Sequence, residues 1–415
     1  MSYVFKFVIN VFTVVIFSFL ILFSVRRIIF AIVAIISRLN KTSQCPSLYQ
    51  PTVTILVPCH NEESVIANCL KSLTQLTYPK QNIEIVVCDD GSTDNTLNIA
   101  RTFEKKFDFI YTLSISLSIG KAAIMNLALQ RFKKGEIIYT FDADSTPRPN
   151  CLTKAVRHFT SSLVGAVSGN QPVRNRYDNF ISYYAFLDRL FSYWTAYAND
   201  KLFLGAGYLA SNCGIRRNLL EKIGLFDESC LIEDASLELR IYESGSRIKY
   251  DHEAISEQEV PVTLKGYFYQ RLGWVKGMNE LGSKHYKEIF LNKKLNFKRK
   301  ARTLLLLFFY WDRIFCALAA LMTVAYLLFF SLSPLFYWVW IMFFGSLIFQ
   351  TIAYLIAEKS DIRAYLRLPI LAILFPFEIF VVVKAVAEDF LGKKRIRYKT
   401  LRKHEKINLR ATKEH

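Results

Sequence analysis

Three acidic groupings stand far apart in this 415-residue chain, each where a carboxylate can do chemistry: Asp89-Asp90, Asp142-Ala143-Asp144 and Glu233-Asp234. In the middle grouping the aspartates end the apolar run 137–141, so strand alternation turns both side chains to one side and Ala143 away. Two hard oxygen donors at that spacing suit a Mg2+ or Mn2+ ion that also grips a diphosphate, which makes Asp142 and Asp144 the candidate metal ligands. A loop with two solvated aspartates is the plain alternative. Asp234 follows the short apolar stretch 230–232 and opens a helical pattern in which Leu237, Leu239 and Ile241 alternate with charges. A carboxylate held beside an acceptor hydroxyl can take its proton as general base, although an acidic pair at a helix start reads the same way. Further on, Gln270-Arg271-Leu272-Gly273-Trp274 offers an indole face for a sugar ring, with Gln270 and Arg271 at hand for hydrogen bonds. An interfacial aromatic anchor is the other reading of Trp274.

Two turn-forming stretches add to this set. Pro58-Cys59-His60-Asn61-Glu62-Glu63 closes the first expected strand and Asp89-Asp90-Gly91-Ser92-Thr93-Asp94 the second, with Gly91 allowing a tight turn and Asp94 able to cap a helix. Ordinary turn chemistry explains either one alone. Gly120-Lys121 opens another helix, where free N–H groups and the positive dipole end favour phosphate; a solvated lysine fits equally.

The elements that must position these groups are short β-branched runs at 53–57, 83–88, 109–113 and 136–141, alternating with helical patterns at 62–75, 94–107 and 121–132. Such alternation predicts an α/β domain with a largely parallel sheet. The polar residues cluster where the strands end, and ligands of open α/β sheets bind outside the carboxyl ends of the strands.

Hydrophobic residues make up 52% of the chain, more than a soluble enzyme needs, and the excess lies at the two ends. Residues 11–25 and 28–36 are apolar runs around Arg26-Arg27, long enough for one tilted crossing. The arginines follow the first run rather than precede it, so the segment reads as a retained anchor that leaves everything after Arg26 in the cytoplasm. Beyond residue 302 come apolar stretches at 304–332 (broken by Asp312-Arg313), 335–357 and 368–386, of which two or three cross. A cytoplasmic tail requires one of them to be interfacial or re-entrant, and the tail's ten Lys/Arg against Glu405 over 393–413 favour that arrangement.

The formal charge of +18 is concentrated in that tail and in 284–302, where eight Lys/Arg face only Glu288. Basic clusters beside apolar spans meet anionic lipid head groups, and they leave no basic face on the α/β part for nucleic acid. The eight cysteines form no C-x-x-C pair, so a reduced cytoplasmic domain without structural zinc is expected. The domain reading is a membrane anchor at 1–44, an α/β domain at 45–284, a basic interfacial segment at 285–302, transmembrane helices at 303–391 and a basic tail at 392–415.

In this order the residues resemble the membrane-embedded family 2 glycosyltransferases, which include poly-N-acetylglucosamine, hyaluronan, chitin and cellulose synthases. Their pattern is an aspartate after the second strand, a D-x-D, a later [TS]-E-D and then Q-x-x-R-W, and the resemblance covers residues 52–277. The stretches 169–175 and 260–264 are most similar to bacterial poly-β-1,6-N-acetylglucosamine synthases. The resemblance implies a GT-A type, Rossmann-like cytoplasmic domain with N-terminal and C-terminal transmembrane helices. It implies that His60, Glu62 and Asp90 contact the uridine of a UDP-sugar, with Lys121 in the donor-binding set. Asp142 and Asp144 would engage ribose, diphosphate and Mg2+ or Mn2+, Asp234 would be the catalytic base, and Gln270, Arg271 and Trp274 would meet the acceptor. Two positions depart from the pattern: Ile232 replaces Thr or Ser, and Gly273 replaces an arginine that in relatives helps hold the donor diphosphate, with Arg271 and Lys276 as substitutes at hand.

The implied activity is inverting β-transfer of N-acetylglucosamine from a UDP-sugar to a growing polysaccharide. Single transfer to a lipid acceptor and a weakened glycan-binding scaffold are the alternatives. Expected partners are the UDP-sugar, a glycan or lipid-linked acceptor, the lipid bilayer and a small accessory membrane subunit, in a multi-pass protein of the inner (plasma) membrane.

Overall fold

The computed structural model describes residues 3–39, 49–202, 209–293, 310–329 and 333–391, with isolated positions 204, 295, 297, 300, 301, 303 and 304. The basic tail at 392–415 lies outside the described residues. One continuous helix, α1 (Tyr3–Leu39), precedes the α/β domain. There β1 (Val53–Cys59), α2 (Ile66–Thr74), β2 (Ile83–Asp90), α3 (Thr96–Lys106), β3 (Ile110–Ile115), α4 (Lys121–Arg131) and β4 (Ile137–Thr140) alternate as the sequence pattern predicts. Helix α2 starts later than residue 62 because Asn61 turns the chain at φ 57° and the N–H groups of Val65 and Ile66 both donate to the Glu62 carbonyl at 3.0 Å. The chain continues through β5 (Thr146–Pro147), α5 (Cys151–Val156), β6 (Val164–Asn170), α6 (Phe180–Lys201), β7 (Cys213–Arg216), α7 (Arg217–Lys222), α8 (Glu233–Glu243), β8 (Arg247–Glu257) and α9 (Leu264–Leu291). The C-terminal helices are α10 (Trp311–Phe329), α11 (Pro334–Ala357), α12 (Ile362–Leu366) and α13 (Ile370–Phe390).

Strands β1 and β2 are buried at every residue, as near-continuous apolar runs covered on both faces must be. Ile55 and Val57 face one core with Leu70 of α2 and Leu152 of α5, while Leu56 and Val86 face the other with Ile124 of α4 and Leu187 of α6. The sheet order is β3-β2-β1-β4-β7-β6-β8-β5. Strand β1 runs parallel to β2 and β4, and β2 to β3, but β7 lies antiparallel between β4 and β6. The sheet is therefore a mixed, GT-A-like one rather than largely parallel. Its second half escaped the sequence reading because Cys213-Gly214-Ile215-Arg216 is too short to show a period. Strand order reverses between β1 and β4, which opens a crevice at their carboxyl ends.

Among the described residues four helices are long and apolar enough to cross a membrane: residues 7–37 of α1, α10, α11 and α13. Leu20 of α1, Ala319 of α10 and Phe343 of α11 share one apolar cluster, and Arg27 pairs with the buried Asp312 at 3.0 Å. Helix α13 joins this cluster through Phe375 and also reaches the α/β domain. Its first turn joins the core that contains Tyr183 and Ala364, and in its middle Glu378 accepts from the Tyr184 hydroxyl at 2.8 Å and pairs with Arg313 at 3.1 Å. At its end Glu388 pairs with Lys276 at 2.5 Å, and Asp389 accepts from the Asn279 amide at 2.9 Å. Thus α13 lies against the α/β domain at both ends, with Ile373, Phe380 and Phe390 left exposed.

Asp188 of α6 and Arg271 of α9 form an ion pair in which both side chains are below a tenth exposed. Removing one partner strands a buried charge, whereas removing both does not. Asp188→Leu is expected to destabilise the purified chain by about 3–5 kcal/mol in chemical unfolding. The double variant Asp188→Leu with Arg271→Leu should lose less than the two single variants together; strict additivity would show that the pair does not join the helices.

Candidate active site

The crevice opens into a cavity of about 1350 Å³ bounded by the ends of β1, β2 and β4, the starts of α4 and α8, and one side of α9. Every residue singled out from the sequence reaches it: His60, Glu62, Asp90, Lys121, Asp142, Asp144, Asp234, Gln270, Arg271 and Trp274 all line its wall. The same wall takes in Leu22, Val25, Arg26 and Ile29 of α1. Three of these, Leu22, Val25 and Ile29, are also exposed on the helix surface, which no sequence reading foresaw.

At the strand ends, hydrogen bonds fix the loops to one another. The Asn61 side-chain oxygen accepts from the N–H groups of Thr93 and Asp94 at 2.8 and 3.3 Å, and His60 Nδ1 lies 2.6 Å from the Asp90 carbonyl. The Asp90 carboxylate accepts from the Ser118 hydroxyl at 2.6 Å and from the N–H groups of Ile119 and Gly120 at 2.8 and 3.0 Å. Asp90 therefore holds the loop that delivers Lys121, in addition to facing the cavity.

Lys121 Nζ lies 3.0 Å from Asp142 and 2.9 Å from Glu233. The protein wall around the ammonium works against its charge, but Asp142, Glu233 and Asp234 outweigh that and hold its pKa well above the ordinary lysine value. Asp234 begins α8, with the Ala235 N–H donating to its carboxylate at 2.8 Å. Burial, reinforced by Glu233 next door and opposed by Lys121, pushes the Asp234 carboxyl up to about 7. A carboxylate so placed is matched to proton abstraction near neutral pH.

The Asp142 N–H donates to Ser211 Oγ at 2.8 Å, which fixes the turn after β4, and the buried Asp144 reaches the same cavity. The carboxylate oxygens of Asp142 and Glu233 already hold a positive ammonium between them, and such hard donors suit a divalent cation. Asp142 and Asp144 are the residues that would hold Mg2+ or Mn2+.

On α9 the two residues considered as substitutes for the missing arginine are already paired. Arg271 is 3% exposed and bound to Asp188, and Lys276 is bound to Glu388. Trp274 carries two guanidinium groups over its ring, those of Arg271 and Arg189, each 4.7 Å from the centroid. Arg189, Asp188 and the Lys121–Glu233 link were not assigned from the sequence. Nothing in the run 180–201 marks Arg189 apart from its charge, and only the packing of α6 on α9 brings it to the site.

Helix α9 meets the loop carrying Asp234 at Gly277, where an added Cβ would sit 2.8 to 3.0 Å from three Ile232 side-chain atoms. The β-branched Ile232 has little rotamer freedom with which to yield. Gly277→Ala is expected to displace the start of α8 and lower kcat on the order of 10²-fold, the usual cost of a misplaced catalytic group. Adding Ile232→Ala should restore most of that loss, and a double variant as slow as the single one would show that the contact does not set the position of Asp234.

Residues 54–224 match the family profile described as Glycosyl transferase family 2. Among curated proteins, the chain is 32% identical over 249 residues to a probable glycosyltransferase of Bacillus subtilis, covering 59% of each. It is 31% identical over 230 residues to a beta-monoglucosyldiacylglycerol synthase of Nostoc, covering 55% of this chain and 49% of that one. It is also 25% identical over 249 residues to a poly-beta-1,6-N-acetyl-D-glucosamine synthase of Staphylococcus epidermidis, covering 59% and 58%. The matches thus span three-fifths or less of these relatives. A solved mannosyltransferase of Pyrobaculum calidifontis, in complex with GDP-Man and Mn2+, superposes with a TM-score of 0.59 at 20% identity over 90% of this chain and all of that one, which shows the shared fold. Residues 54–224 thus match a glycosyl transferase family 2 profile on a GT-A-like fold, and among the described residues four helices are apolar and long enough to cross a membrane.

Proposed function

We propose that the chain is an inverting glycosyltransferase that moves a sugar from a UDP-sugar to a hydroxyl carried by a membrane lipid. The observation that carries this reading is a single cavity whose wall holds both the Asp234 carboxylate and the exposed apolar residues Leu22, Val25 and Ile29 of α1. An amphiphile can keep its chains beside α1 while its head group enters the cavity. Asp234 accepts the proton of that hydroxyl as the oxygen attacks the anomeric carbon of an α-linked sugar. The bond to the diphosphate breaks with its electrons leaving on UDP, and the product is β-linked. Attack from one face and departure from the other needs the base and the diphosphate site on opposite sides of the sugar. Asp142 and Asp144 would hold a divalent ion, which would supply charge neutralisation for the leaving diphosphate.

The similarity to poly-beta-1,6-N-acetyl-D-glucosamine synthase supports N-acetylglucosamine as the sugar and, as a second reading, a growing polysaccharide as the acceptor. Similarity to a glucosyldiacylglycerol synthase supports the lipid acceptor. The packing of Leu20, Ala319, Phe343 and Leu347 favours the lipid reading, because among the described residues the outer half of the bundle is filled by apolar side chains rather than a polar path. With UDP-N-acetylglucosamine and extracted lipids, mass analysis should find lipids heavier by one sugar; a ladder of lengths would sink the lipid reading in favour of the polysaccharide.

The base assignment has two consequences. Asp234→Asn should lower kcat about 10²- to 10⁴-fold while UDP binding persists, as measured by turnover and calorimetry. In the wild-type protein kcat/KM should fall as pH drops through about 7, since the base must be ionised to act and its carboxyl is pushed up to that value. Glu233→Gln removes the neighbouring negative charge and should move this acid limb to lower pH. An unmoved limb would assign it to another group.

For location we propose a multi-pass plasma-membrane protein in which α1, α10 and α11 cross and α13 lies along the cytoplasmic face with the catalytic domain. Contacts of α13 with the domain at both ends support this. A cysteine at Phe390 should react with an impermeant maleimide only after cells are opened, and one at Ser333 in intact cells. The reverse pattern would overturn the topology.

A further inference from the structure

Residues 224–232 lead the chain from α7 to Asp234, and they begin on an unfavourable backbone. Gly224 and Leu225 have φ of 93° and 62°. The glycine adopts such an angle freely, whereas a bulky leucine holds it only where its surroundings impose it. The next residue, Phe226, meets Asn126, which stands in the middle of α4 and is 6% exposed. The Asn126 amide nitrogen donates to the Phe226 carbonyl at 2.9 Å and to the Glu228 carboxylate at 2.8 Å, and its side-chain oxygen accepts from the Phe226 N–H at 3.0 Å. Both amide hydrogens are thus spent on a segment about a hundred positions away in the chain. Glu228 lines the cavity, and Asp227 before it accepts from the Ser229 N–H at 2.9 Å and from the hydroxyl of Ser236, in the first turn of α8, at 3.2 Å. The loop is therefore bonded to α4 on one side and to α8 on the other.

We propose that Asn126 is a positioning residue for the transfer step: it clamps the 226–228 loop to α4 and so fixes the start of α8, with Asp234, relative to Lys121. This rests on the reading of Asp234 as the base. Helix α4 begins at Lys121, whose ammonium pairs with Glu233 at 2.9 Å, so two attachments join α4 to the segment that carries Asp234. They differ in kind. A lysine ammonium on a flexible stem can let go of Glu233 when a metal ion or a diphosphate arrives. Asn126 has no such freedom, because Phe226 is 5% exposed and losing the amide would leave its N–H and C=O groups buried without these partners. The buried contact keeps the base in place while the exchangeable one opens.

The test uses the full chain in detergent with Mn2+ and reads amide hydrogen exchange alongside kinetics. Asn126→Ala should speed exchange across 225–232 and lower kcat about 10- to 100-fold, with UDP affinity and donor KM within about twofold of wild type, since placement rather than binding is lost. Asn126→Asp keeps an acceptor for the Phe226 N–H but sets a second carboxylate against Glu228, and should be at least as slow. Adding Glu228→Gln to it reverses the polarity of that contact and should recover part of kcat. Should Asn126→Ala not fold, this pair of variants reads the same contact. Exchange across 225–232 as slow as in the wild type, a UDP affinity that falls together with kcat, or no recovery on adding Glu228→Gln would each overturn the proposal. An Asp234→Asn chain as fast as the wild type would instead overturn the base assignment on which it rests, whatever the exchange shows.

Discussion

One ammonium group gathers the site. Lys121 Nζ stands within 3.0 Å of Asp142 and 2.9 Å of Glu233, so three segments more than twenty residues apart, the start of α4, the turn after β4 and the start of α8, close around a single positive charge. Without it Glu233 and Asp142 would push Asp234 still further toward its protonated form. A lysine suits the position better than an arginine, since its compact point charge on a flexible stem can give way to a divalent cation. The lysine thus holds the carboxylate-bearing segments together.

That lysine depends on a relay of loops. Asn61, in a left-handed turn, accepts from the backbone at Thr93 and Asp94 and ties the end of β1 to the end of β2. Asp90 then accepts three hydrogen bonds from residues 118–120 and ties β2 to the start of α4. Each step satisfies backbone N–H groups that would otherwise be left unpaired at a strand end or helix start. Asp90 consequently acts on the chemistry through Lys121 as much as through any contact of its own with the nucleotide.

Much of this was legible in the sequence. The alternation of apolar runs and helical patterns locates β1 through β4, and Asp90, Asp142, Asp144, Asp234 and Trp274, singled out from residue type and spacing, reach one cavity, because strand ends and helix starts are local features. What escaped depends on packing between distant elements. Asp188 and Arg189 look like ordinary charges of an amphipathic helix until α6 is laid on α9. Arg271 and Lys276 look like available cations until Asp188 and Glu388 are found beside them. Helix α13 carries the composition of a crossing helix, and its contacts with Tyr184, Lys276 and Asn279 tie it to the α/β domain as well. Hydropathy reports what a helix can tolerate; the partners of its few polar residues report where it lies.

The membrane part is more than an anchor, because charge runs through it into the domain. Arg27 of α1 meets Asp312, Asp312 meets Arg313, and Arg313 meets Glu378, which also accepts from Tyr184 of α6. Each of these groups is mostly or wholly buried, and an unpaired charge in that setting is costly, so the bundle and the domain are held in one relative position. Fixing that position sets Leu22, Val25, Arg26 and Ile29 of α1 into the wall of the cavity that Asp234 also lines, so buried ion pairs, and not hydropathy alone, decide which face of α1 meets the site.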